Sequence, residues 1–221
     1  MTLLVFDCDG VLVDSELVAH GVLAELLTRL GRPITMDEAL RTFSGRSRQD
    51  TIRLTGELLG RPIPEQDGAL ARTKMLDIFR RDLKPVAGIG EAIAALPYRR
   101  CVASSSDPER LHLSLDVTGL APLFGDHVFS AAQVARGKPA PDLFLHAANE
   151  MKTFPRDCIV IEDSVLGVEA GIAAGMTVIG FAGAAHATEA LAARLAQAGA
   201  SAVIRQMADL PSVVQDAVKR K

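Results

Sequence analysis

Six short apolar runs recur along the chain, and from the second onward each is separated from the next by one stretch of helical patterning. The runs are Thr2–Phe6, Arg100–Ser104, His127–Phe129, Cys158–Glu162, Thr177–Phe181 and Ala202–Ile204. They are β-branched or continuously apolar, which suits strands buried on both faces. The helical stretches are Gly90–Leu96, Pro108–Thr118, Pro141–Met151, Ser164–Ala174 and Thr188–Ala198. Asp107-Pro108 offers an N-cap followed by proline, and Ala140-Pro141-Asp142 offers proline with an early acid. The alanine-rich 183–202 stretch reads as a packed helix rather than a linker. Alternation of this kind predicts an α/β fold with a doubly wound, mostly parallel, Rossmann-like sheet.

One region breaks the rhythm. Residues 15–83 contain no convincing strand. Apolar residues recur there at helical spacing: Leu17, Leu23, Leu26, Leu27 and Leu30, then Leu54, Leu58 and Leu59, then Leu70, Met75, Ile78 and Phe79. Gly31-Arg32-Pro33 and Gly60-Arg61-Pro62-Ile63-Pro64 punctuate them as helix stops. The expected organisation is a catalytic α/β core made of residues 1–14 and 84–221, with a helical cap domain inserted over 15–83. The chain's net charge of −3 divides unevenly, +1 on the insert and −4 on the core. A balance so close to neutral gives no support for nucleic acid or a membrane surface as partner. No apolar run is long enough to span a bilayer, and Asp7 and Asp9 interrupt the N-terminal apolar stretch, so no signal peptide is expected. The expected location is the cytoplasm. Cys8, Cys101 and Cys158 lack metal or redox spacing and read as reduced core residues.

Four motifs sit at predicted strand ends. Asp7-Cys8-Asp9-Gly10 follows the first run, and alternation along an extended segment puts Asp7 and Asp9 on one side with Cys8 turned into the core. Ser104, Ser105 and Ser106 follow the second run, where hydroxyls and backbone N–H groups make an anion nest ahead of a helix. Lys138 is held in a stiff loop by Gly137, Pro139 and Pro141. Glu162 and Asp163 end the fourth run, followed by Gly167, Gly171 and Gly175, which let a helix pack closely on the sheet. If the four carboxylates converge, each pair at 4 Å repels by up to about 4 kcal/mol at an effective dielectric near 20. A hard divalent cation relieves this, and an all-oxygen ligand set selects Mg²⁺.

In this order the motifs resemble the haloacid dehalogenase superfamily of phosphohydrolases. The strings DCDGVLVDSE, VASSSD, GKPAPDLF and VIEDSVLGVEAG are similar to its sugar-phosphatase and β-phosphoglucomutase-like branch. The resemblance implies a phosphoric monoester hydrolase that works through an aspartyl-phosphate. Asp7 would be the nucleophile and Asp9 the acid, then the base. Ser104, Lys138 and Mg²⁺ would neutralise the phosphoryl oxygens. The metal would be held by Asp7, the backbone carbonyl of Asp9 and Asp163, with Glu162 bound directly or through water. Ser105 and Ser106 would help bind the substrate. In the mutase-like relatives an arginine in a Gly-x-Ser-Arg string grips a distal anion, and Arg48 falls at that place, with Arg46, Arg72 and Lys74 as weaker candidates.

The expected partner is a small phosphorylated metabolite, a sugar phosphate or sugar-acid phosphate, and the expected form is a monomer. Three other readings stay open. A β-phosphoglucomutase-type phosphomutase would use the same nucleophile, although its assisting histidine would fall on Ala19 rather than His20, which reads as a cap-helix residue. A phospho-accepting regulatory protein would need neither the insert nor Asp9. A dehalogenase would have no use for Glu162 and Asp163.

Overall fold

The computed structural model describes residues 2–220. Met1 and Lys221, the two ends of the expected core, lie outside the described residues. Among the described residues, six strands form one sheet: β1 (Leu3–Phe6), β2 (Arg99–Ser104), β3 (Val128–Ser130), β4 (Cys158–Glu162), β5 (Thr177–Phe181) and β6 (Ala202–Ile204). Their order is β3-β2-β1-β4-β5-β6, and every neighbouring pair is parallel. The central β1 pairs Phe6 with Val102 on one side and Ile161 on the other. The strand β3 runs one residue further than its apolar run suggests, because Ser130 pairs with Ser104.

Alternation along the strands explains why helices cover both faces. Leu4 and Phe6 join Val102, Ile159, Ile161 and Ile179 in one core, and α5 (Ile89–Ala94), α6 (Pro108–Val117) and α10 (Leu210–Lys219) contribute to it. Leu3 and Val5 join Cys101, Ala103, Val160 and Val178 in the other, with α7 (Asp142–Glu150), α8 (Val165–Ala173) and α9 (Glu189–Gln197). Cys8, Cys101 and Cys158 are all buried thiols. The cap at α6 is formed as its sequence suggests, Asp107 accepting from the Arg110 N–H at 3.2 Å. Helix α10 has no counterpart among the stretches read from sequence, although Leu210 and Val214 are fully buried one turn apart.

The alanine-rich stretch departs from its expected form. Only Glu189–Gln197 within it is helical. Residues 183–188 instead run as a loop toward the end of β1. Gly183 lies so close to the Arg205 carbonyl that a Cβ would approach its oxygen to 1.9 Å. The Ala185 N–H donates to Asp14 Oδ1 at 3.0 Å. Alanine's helix propensity is a weak preference, and these tertiary contacts override it.

Between β1 and β2 the chain forms α1 (Glu16–Arg29), α2 (Met36–Phe43), α3 (Arg48–Leu59) and α4 (Glu65–Asp82) before it reaches α5. Thr35 and Glu38 make a reciprocal capping box at α2, Ser47 caps α3, and Gly60 ends α3 in the left-handed conformation at φ 67°. These helices bury Leu27, Ala39 and Phe43 in a small core of their own. The two segments that join them to the sheet run side by side, with the Asp14 N–H bonded to the Lys84 carbonyl at 3.0 Å and the Val86 N–H to the Leu12 carbonyl at 2.9 Å. The four helices lie over the carboxyl ends of the strands, where open α/β sheets keep their sites.

Candidate active site

Asp7 directly follows β1, and its N–H continues the ladder by donating to the Ile161 carbonyl at 3.0 Å. This places its carboxylate beside the end of β4, where Glu162 and Asp163 emerge. One carboxylate oxygen from each of Asp7, Glu162 and Asp163 lies within 4.8 Å of the others, and all three residues are buried. Lys138 reaches the same point with a fully buried side chain. Its Nζ is 3.1 Å from Asp7 Oδ1 and donates to Glu162 Oε1, and it lies 5.0 Å from the Phe144 ring centre. Glu162 is fixed further by the Ser164 N–H and hydroxyl, at 2.8 and 2.9 Å. Gly167 makes room for it, since a Cβ there would come within 1.8 Å of Glu162 Oε1.

The electrostatics are unbalanced. Burial pushes the Asp7 carboxyl well above the ordinary range; Lys138 opposes this, while Glu162, Asp163 and Asp9 add to it. Burial also raises Asp163, to about 7, although His186 beside it pulls the other way. The Lys138 ammonium, with the His186 ring beside Asp163, faces three buried carboxylates, and Asp7 Oδ1 accepts no hydrogen bond that meets ordinary geometry. Such an all-oxygen set fits a hard divalent cation.

Asp9 differs from its expected place. Its carboxylate does not join the cluster. Oδ1 accepts from the Ser15 hydroxyl and from Arg110 Nη2, both at 2.5 Å, and Oδ2 accepts from the Ser106 hydroxyl at 2.5 Å. Burial works against its charge, but Arg110 and the two hydroxyls outweigh that and hold the carboxyl below the usual range. Asp9 still lines the same cavity as Asp7, and Gly10 directly after it turns the chain with a φ of +75°. The convergence of four carboxylates read from sequence is therefore a convergence of three, with Asp9 drawn off by Arg110.

The serines divide similarly. Ser104 is fully buried at the end of β2, and its Oγ accepts from the Ser106 N–H at 3.1 Å. The Ser105 hydroxyl donates to the Gly45 carbonyl at 2.8 Å, tying the sheet to the α2–α3 loop. Ser105 and Ser106 still line a cavity of about 180 Å³ that opens above Asp7, Asp9 and Asp163. Its far side is apolar, with Leu23 and Leu26 of α1, Ile52 of α3 and Met75 of α4. Four arginines also line it. Arg72 is committed to Asp107 through two bonds of 2.9 and 2.7 Å, Arg110 to Asp9, and Arg46 to the Thr42 carbonyl. Arg48 is exposed, and among the described residues it makes no hydrogen bond or ion pair. Lys74 lies away from this cavity and pairs with Glu25. Ala19 and His20 both line the cavity, and His20 Nδ1 is 2.8 Å from the Glu16 carbonyl.

Two residues at the site, Arg110 and His186, were not among those expected from the sequence. Arg110 stands three residues after the cap Asp107, on the turn of α6 that faces the cavity. His186 comes from the loop after β5 and places Nε2 at 3.1 Å from Asp163 Oδ2. For Arg110 the signal was available: a basic residue one turn into a helix that starts at the serine nest points back toward that nest.

Comparison with known proteins agrees with this geometry. Residues 1–175 match the haloacid dehalogenase-like hydrolase family. The chain is 29% identical over 182 residues to the 6-phosphogluconate phosphatase of Escherichia coli K12, covering 82% of each protein. It is similar to the crystal structure of a haloacid dehalogenase-like protein from Agrobacterium tumefaciens, with 38% identity, 99% of both chains covered and a TM-score of 0.85. A HAD family hydrolase from Deinococcus radiodurans, crystallised with bound phosphate and sodium, is 32% identical, with 99% of this chain and 96% of that one covered and a TM-score of 0.78. The chain belongs to the haloacid dehalogenase-like hydrolases and is an enzyme of the phosphoric monoester hydrolase kind. Among the described residues no helix is long and apolar enough to cross a membrane.

Proposed function

We propose that the chain is a Mg²⁺-dependent phosphatase of small sugar-type phosphate monoesters that works through an aspartyl-phosphate at Asp7. The observation that carries this reading is the buried meeting of Asp7, Glu162 and Asp163 at two strand ends with Lys138, beside a cavity that Asp7, Asp9 and Asp163 line. The phosphatase relative named for 6-phosphogluconate and the phosphate bound in the Deinococcus hydrolase support the substrate class.

In the first half-reaction an Asp7 oxygen bonds to phosphorus as the ester P–O bond breaks. Asp9 must enter this step carrying a proton taken up against the pull of Arg110; it passes that proton to the departing alkoxide, which leaves as the alcohol, and regains one from water in the second step. In the second, Asp9 as carboxylate takes a proton from water. That water's oxygen bonds to phosphorus, the Asp7–phosphorus bond breaks, and inorganic phosphate is released. Arg110 stabilises the charged form of Asp9 that this second step uses. Lys138 would neutralise the phosphoryl oxygens, with the Ser104 hydroxyl, whose Oγ accepts from the Ser106 N–H and so keeps its hydrogen free, reaching them from the end of β2. The carboxylates of Asp7, Glu162 and Asp163 would hold Mg²⁺, with the backbone carbonyl of Asp9 as a further ligand. When bound, the ion supplies positive charge against the phosphoryl group.

Residues 15–83 serve in this reading as a cap that excludes water and selects the substrate. Arg48, uncommitted at the cavity, reads a second anion on the substrate; its charge already acts through space on Asp107. The test is a phosphate-release screen over sugar phosphates, sugar-acid phosphates and phosphoglycolate, with isomer analysis of the products. Release of free phosphate that stops with EDTA and returns with Mg²⁺ is expected. Accumulation of an isomer without phosphate, or activity indifferent to chelation, contradicts the reading.

A further inference from the structure

We propose that His186 is a positioning residue for Asp163, holding one carboxylate oxygen so that the other is presented to the divalent cation. The inference rests on the cation reading above. Three observations carry it. Nε2 of His186 lies 3.1 Å from Asp163 Oδ2, with side chains only 7% and 4% exposed. The loop that delivers the ring is fastened at the site, since the neighbouring Ala185 N–H donates to Asp14 Oδ1 at 3.0 Å and the Ala187 N–H closes a turn on the Ala184 carbonyl at 2.9 Å. The pair is also packed against the first motif itself. A Cβ at Gly10 would come within 1.8 Å of Asp163 Oδ2 and 2.9 Å of His186 Cε1, so the glycine leaves space for this contact.

The chemistry follows from the freedom of a carboxylate. The terminal torsion of an aspartate is broad and roughly two-fold. Ordering it when a cation arrives costs affinity, and a fixed hydrogen bond to the far oxygen removes that cost beforehand. The imidazole acts through Asp163 and not on the ion. The gathered oxygens within 4.8 Å of one another come from Asp7, Glu162 and Asp163, and no His186 nitrogen is among them. Nε2 carries the hydrogen that Asp163 Oδ2 accepts.

The test is Mn²⁺ titration followed by electron paramagnetic resonance of the free ion, on the full chain without substrate. It compares wild type with His186→Ala, His186→Gln and Asp163→Asn, each first checked for native circular dichroism. His186→Ala is expected to weaken binding by about 10- to 100-fold. His186→Gln, which keeps an N–H donor at nearly the same reach, should return the dissociation constant to within about threefold of wild type. An unfolded His186→Ala leaves the comparison to His186→Asn and His186→Gln, which must then differ in the same sense. A His186→Ala protein that binds Mn²⁺ as tightly as wild type, or more tightly because the ring had competed with the ion, overturns the proposal while the cation reading stands. Should wild type take up no Mn²⁺, or Asp163→Asn bind it equally well, the cation reading itself falls and this inference with it.

Discussion

At Asp9 three donors at 2.5 Å fix the carboxylate that, in the proposed mechanism, touches the leaving oxygen. Arg110 is the one of these that also carries charge, and it is itself seated with its guanidinium 5.3 Å from the Phe79 ring centre. Its loss frees the carboxylate to rotate, and a misplacement of about 1 Å at a reacting group costs on the order of 10²-fold in rate. Arg110→Met should therefore lower kcat/KM for an alkyl phosphate by about that factor, measured by phosphate release. An unchanged kcat/KM would show that Asp9 needs no such support. Arg48→Ala should raise KM for substrates bearing a second anion more than for a plain aryl phosphate; equal effects would reject its distal role. Asp7, Glu162 and Asp163 were legible as strand-end acids because each ends or follows an apolar run, and Lys138 as a lysine held in a loop stiffened by Pro139 and Pro141. For Arg110 only its direction back toward the serine nest was readable, not its bond to Asp9, and His186 was not readable, since a loop residue shows its target only when the sheet brings it across.

At the scale of elements, helix α8 shows how closely packing fixes the site. Gly171 faces the sheet, where a Cβ would meet Val178 Cγ2 at 2.6 Å and Val160 Cγ2 at 3.6 Å. Gly167, one turn earlier, leaves room for the Glu162 carboxylate. Gly171→Ala should thus overpack the interface and destabilise the fold by about 1–3 kcal/mol, read from denaturant unfolding. Gly90 in α5 is the contrast, because a Cβ there meets nothing within 4 Å. Gly90→Ala should stabilise by roughly 0.5–1 kcal/mol, through the lower chain entropy of alanine when unfolded. Loss at Gly90, or no loss at Gly171, would contradict the packing argument. The glycine spacing after Glu162 made the close approach of α8 readable in advance. The loop at 183–188 was not readable, because its path is set by the Arg205 carbonyl and Asp14, both distant in sequence.

The described molecule is a parallel sheet covered on both faces by helices α5–α10, with α1–α4 over the carboxyl ends of its strands. The alternation of strand and helix made the sheet legible, and its interruption marked where α1–α4 begin and end. How those helices meet the sheet was not legible, for it depends on single contacts across long separations. Arg72 on α4 binds Asp107 and also Glu109 at 2.6 Å, and Ser105 binds the Gly45 carbonyl. Arg72→Met should loosen this contact, enlarge the radius of gyration in small-angle scattering, and lower kcat/KM by about tenfold. Unchanged scattering and kinetics would mean that the arginine holds nothing closed.

The central claim of the mechanism is that an Asp7 oxygen bonds to phosphorus. The most direct test is to mix the enzyme with a hydrolysed sugar phosphate, quench rapidly, reduce with borohydride and map residue 7 by mass spectrometry. An aspartyl-phosphate there would be reduced to homoserine, and that product at position 7 alone is the expected result. An unmodified Asp7 during turnover, with homoserine at another aspartate or at none, would contradict covalent catalysis at this residue.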